Sequence, residues 1–77
     1  MWRIYVAMPT NLLQRCRAAC AAGVDFPTVY KTVIASDRLR PGMPTQATDG
    51  TRTWLEMTLS SGGRLVYHSS LNEYELV

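Results

Sequence analysis

The chain has 77 residues and a mass of 8.6 kDa, room for one small domain (1–77) and not for two. Apolar residues make up 47% and charged residues 18%, a globular balance that excludes a disordered or collagen-like chain. Eight Lys and Arg against six Asp and Glu leave a formal charge of +2, too little to argue for an electrostatic partner.

Two cysteines, Cys16 and Cys20, stand four apart. On a helix they share a face, where an intrachain disulfide would strain the backbone, and two fall short of the framework of a small secreted domain. The apolar stretch 4–8 is too short for a signal-peptide core or a membrane span. A reduced, cytoplasmic protein with no membrane contact is therefore expected. A core this small with no covalent staple makes a homodimer the natural compensation.

In chain order, residues 2–8 alternate, with Trp2, Ile4, Val6 and Met8 on one side and Arg3, Tyr5 and Ala7 on the other, which predicts a strand. Asn11 followed by Gln14 reads as a capping box opening a helix over about 11–22. Leu12, Leu13, Cys16, Ala19 and Cys20 form its apolar face, and Gly23 stands where a left-handed cap is wanted. Asp25 caps a second helix with Pro27 in its first turn and Phe26, Val29, Tyr30, Val33 and Ile34 on one face. The stretch from Asp37 to Pro41 ends that helix, and 38–50 reads as a long loop.

From Thr51 the period returns to two. Leu55, Met57 and Leu59 alternate with Trp54, Glu56 and Thr58. A three-residue loop Ser61-Gly62-Gly63 would set Leu59 opposite Leu65, Met57 opposite Tyr67, Thr58 opposite Val66 and Glu56 opposite His68. Residues 71–77 offer one more short strand through Tyr74 and Leu76. The expected fold is a two-layer α+β domain, β-α-α-β-β(-β), with a small antiparallel sheet and two helices packed on one face.

No catalytic constellation, cofactor motif or metal-ligand spacing stands out. Cys16, Cys20 and His68 are one short of a structural zinc set, and the cysteine spacing suits a buried helix face. His68 is the sole histidine, expected beside Glu56 on a half-exposed strand. Trp54 has the parity of Arg52, Glu56 and His68, opposite the face given to the helices, and an outward indole resembles an interaction anchor. The expectation is a small non-enzymatic interaction or regulatory protein, similar in bulk properties to compact inhibitors encoded by phages or mobile elements. Its protein-binding surface would comprise Trp54, Arg52, Glu56, His68, Arg38 and Arg40.

The alternative is a DNA-binding regulator. Ala19, Gly23 and Val29 resemble helix-turn-helix spacing over residues 15–36: a small residue for close approach, a glycine for the turn, an aliphatic residue to close the corner. The second helix would then face DNA with Thr28, Lys31, Thr32, Ala35 and Ser36, flanked by Arg38 and Arg40, and the 51–69 hairpin would be a wing. That face carries a single lysine, where counterion release calls for several cations.

Overall fold

The computed structural model describes residues 9–77; the strand expected over 2–8 lies outside the described residues. Within them the order is α1 (Pro9–Ala21), α2 (Phe26–Val29) running into a π-helical turn (Tyr30–Ile34), then β1 (Thr45–Thr48), β2 (Thr53–Thr58), β3 (Arg64–His68) and β4 (Glu73–Leu76). The strands form one antiparallel sheet in sequence order, β1-β2-β3-β4, with the helices packed against it. The two-layer α+β architecture is as expected, and the short strand near the C-terminus joins the sheet.

Leu12 and Cys16 of α1 are buried, with Leu13, Ala19 and Cys20 packed against the core. Asn11 lies inside the helix rather than at a cap, because helical structure already includes Pro9. At the other end Gly23 takes φ +86°, and the N–H groups of Gly23 and Val24 donate to the carbonyls of Cys20 and Ala19 at 3.0 Å each. This is a Schellman closure, available cheaply only to glycine.

Asp25 caps α2, its carboxylate accepting from the Thr28 N–H at 3.2 Å, and Pro27 sits in the first turn. The helix then widens. The Ala35 N–H reaches the Tyr30 carbonyl at 2.8 Å, an i→i+5 bond. Thr32 Oγ1 donates to the Thr28 carbonyl at 2.7 Å, and such back-bonding loosens a helix. The wider turn brings residues five apart toward one face. Val29 and Ile34 are thus both fully buried, while Tyr30 and Val33 are only half-buried.

Besides the Asn11 cap, two sequence expectations are corrected. The segment 38–50 is not a continuous loop: Thr45–Thr48 pairs with β2, Thr45 opposite Glu56 and Ala47 opposite Trp54. Its four residues carry no apolar alternation, so no periodicity marks them. The β2–β3 register is also displaced by two residues. Met57 faces Leu65, Leu55 faces Tyr67, Glu56 faces Val66 and Thr58 faces Arg64. The turn comprises Ser60-Ser61-Gly62, with the Leu59 N–H donating to Gly63 O and the Gly62 N–H to Leu59 O, each at 3.1 Å. Gly62 and Gly63 both have positive φ, +92° and +77°. The expected parities hold, because a two-residue shift preserves both faces.

The core lies between the helices and the inner face of the sheet: Leu12, Cys16, Val29, Ile34, Leu39, Met57, Leu59, Leu65, Tyr67 and Tyr74. Phe26 stacks on Tyr67 at 4.7 Å between centroids, and Tyr67 lies 4.7 Å from Tyr74.

Candidate functional site: the helix-free face of the sheet

Alternation carries Trp54, Glu56, Arg64, Val66, His68 and Glu75 to the face of the sheet away from the helices. The half-buried Trp54 is held in place. Its indole N–H donates to Glu56 Oε1 at 2.9 Å, and its ring lies 5.9 Å from the His68 imidazole, tilted by 54°. Glu56 also accepts from the Arg64 guanidinium at 3.2 and 3.3 Å, a diagonal cross-strand pair. His68 Nε2 is 2.7 Å from Glu75 Oε1. Val66 sits amid these polar groups with only 2% of its surface exposed.

The expected Glu56–His68 pair does not form. In the observed register Val66 occupies the place opposite Glu56, while His68 faces Glu73 and bonds to Glu75. Arg64, Val66 and Glu75 were missed as members of this surface. For Arg64 and Val66 the displaced β2–β3 register gave the wrong neighbours, and for Glu75 the sequence suggested no pairing of the last strand.

The other candidate residues are scattered. Arg52 is exposed at the β1–β2 turn, its carbonyl accepting from Thr48 Oγ1 at 2.8 Å and the Asp49 N–H at 3.2 Å. The Asp49 carboxylate accepts from the Thr51 and Arg52 N–H groups, and these bonds hold it below the ordinary carboxylate range. Arg38 and Arg40 are exposed on either side of buried Leu39, whose carbonyl accepts from the Ser60 N–H at 2.8 Å. That bond places them at the Leu59–Gly63 end of the sheet, about 20 Å along the strand from Trp54 at 3.3 Å per residue. The two arginines therefore belong to a different region from the indole.

Thr28, Lys31, Thr32, Ala35 and Ser36 are all exposed on the second helix. They do not form a regular α-helical row, because the π turn resets the spacing from Tyr30 onward. The Thr32 hydroxyl is already committed to the Thr28 carbonyl.

Both cysteines are free. Burial pushes the Cys16 thiol up to about 11. Half-buried Cys20 donates weakly to the Asn72 carbonyl at 3.2 Å. Beside it an open groove of about 450 Å³ is lined by Arg17, Cys20, Ala21, Asn72, Glu73 and Tyr74. Among the described residues no three His, Cys, Asp or Glu side chains converge as metal ligands would. None of the described helices is long and apolar enough to cross a membrane.

The chain matches no known protein family, curated protein or solved structure.

Proposed function

We propose that this protein is a small interaction module, without enzymatic chemistry of its own, that holds a protein partner against the helix-free face of its sheet. The observation that carries this reading is the fixation of Trp54 by the Glu56 carboxylate and the His68 ring. An immobilised, half-exposed indole loses little further freedom on binding, which is why such residues anchor interfaces. Arg64 and Glu75 provide a polar rim of both signs beside it. In this reading the role is regulatory, the module occupying a partner's surface through the fixed Trp54.

DNA binding through the second helix is the weaker reading. The exposed row there offers Lys31 as its one cation, and the exposed Arg38 and Arg40 flank it from the following loop. Few phosphates could be neutralised by so sparse a set.

Affinity capture from a lysate of the source cells, with and without nuclease, tests both. A protein retained by the wild type, lost with Trp54→Ala and kept with Lys31→Ala supports the outer-face reading. Retention unchanged in a folded Trp54→Ala variant overturns it. Capture that disappears with nuclease and with Lys31→Ala transfers the function to the second helix.

A further inference from the structure

The two edges of the sheet are finished differently. In β4 the reciprocal bonds between Arg64 and Val77, each 2.9 Å, fix the alternation, so the backbone groups of Asn72, Tyr74 and Leu76 point away from β3. α1 closes part of that edge. Arg17 Nε donates to the Tyr74 carbonyl at 3.3 Å and Cys20 Sγ to the Asn72 carbonyl at 3.2 Å. Glu73 and Glu75 add two like charges to the same strand. Charge and a covering element are the usual protections against strand addition.

β1 has neither. The Asp49 N–H donates to the Arg52 carbonyl, so the bonded pairs run through Ala47–Trp54 and Thr45–Glu56. The backbone N–H and C=O of Gln46 and Thr48 therefore point outward, with no partner among the described residues. The strand Thr-Gln-Ala-Thr contains no charge and no proline, and three of its four residues are exposed.

We propose that this edge pairs antiparallel with β1 of a second copy of the chain about a two-fold axis, joining two four-stranded sheets into one. Gln46 of each copy would exchange both backbone bonds with Thr48 of the other, and the two Ala47 residues would meet at the axis. Antiparallel pairing of a strand with itself is self-complementary, as an isologous interface requires. An uncharged strand meets its own copy without repulsion, whereas β4 would set its glutamates against their equivalents. The geometry also lays the two Trp54-bearing faces side by side, since Trp54 is the neighbour of Ala47 on β2. This inference goes beyond the partner reading of the outer face and stands or falls independently of it.

Sedimentation from about 5 µM to about 500 µM, the range suited to a small interface, is the test. The wild type should rise with concentration from 8.6 kDa toward twice that mass. Gln46→Pro removes an outward N–H without touching the β1–β2 ladder and should weaken association at least tenfold. Gln46→Lys, which places a cation on the edge, should do likewise and serves if the proline variant misfolds. The Gln46 and Thr48 amides should exchange more slowly as concentration rises. A wild type that stays at monomer mass overturns the proposal. So does a folded Gln46→Pro or Gln46→Lys variant that associates as well as the parent, which would put the contact on another surface.

Discussion

Trp54 and His68 lie side by side on neighbouring strands with their ring centroids 5.9 Å apart, and each is anchored by a different glutamate, Glu56 and Glu75. The contact ties β2 to β3 while the His68–Glu75 bond ties β3 to β4. A double-mutant cycle with Trp54→Ala and His68→Ala, followed by urea unfolding, should give a coupling of about 0.5–1.5 kcal/mol. Additive losses would mean that the rings do not act on one another.

The two glycines of the β2–β3 turn should respond unequally to substitution. An alanine at Gly62 meets nothing within 4 Å and bears only the left-handed conformation, a cost of about 1–2 kcal/mol. At Gly63 the added Cβ would also lie 3.1 Å from the Val77 carbonyl. Gly63→Ala should therefore lower the urea midpoint more than Gly62→Ala. Proton NMR checks the register itself. Hα–Hα contacts should appear for Thr58–Arg64 and Glu56–Val66, which are non-hydrogen-bonded pairs, and not for Thr58–Val66.

The thiols should separate by reactivity. Native protein should take one alkyl label, on Cys20, and unfolded protein two, because Cys16 is buried and its thiolate is suppressed. Two labels at native rates would contradict the packing of α1. Burial also makes stability depend on alkaline pH. The Cys16 thiol ionises near its ordinary value of 9.0 when unfolded and at about 11 when folded. Its contribution is whole below pH 9.0 and is lost as pH rises toward 11. Burial shifts Tyr67 and Tyr74 upward too, in the same sense. Cys16→Ala should flatten only part of the fall in melting temperature over that interval.

Asp25→Ala removes the acceptor for the Thr28 N–H and should lower the melting temperature at neutral pH. The Thr28 bond holds the Asp25 carboxyl below its ordinary range. Its contribution is therefore present above the unfolded value of 3.8 and is lost as pH falls through the lower folded value. Acid titration of the melting temperature in wild type and Asp25→Ala should show the two curves converging at low pH.

Local chemistry was readable at several points where one residue type meets one backbone requirement, though not at Asn11, which lies inside α1. Gly23 closes α1, Asp25 opens α2 with Pro27 behind it, and the period-two pattern from Leu55 onward assigns each side chain to its face. For the candidate site, this placed Trp54, Glu56 and His68 on one surface. It paired Glu56 wrongly with His68, because registers two residues apart bury the same side chains and periodicity does not choose between them.

Tertiary contacts decided that pairing. The Ser-Ser-Gly-Gly turn can close as a three-residue loop in either position, and in the observed one Arg64 sits opposite Thr58 within reach of Glu56 while Trp54 meets His68. The same holds for β1 and the π turn. Thr-Gln-Ala-Thr becomes a strand through the ladder β2 offers it, and the second helix widens where Val29 and Ile34 are both fully buried in the core. Periodicity along a chain records which side of an element meets the core; which residues then face one another depends on bonds between segments distant in sequence.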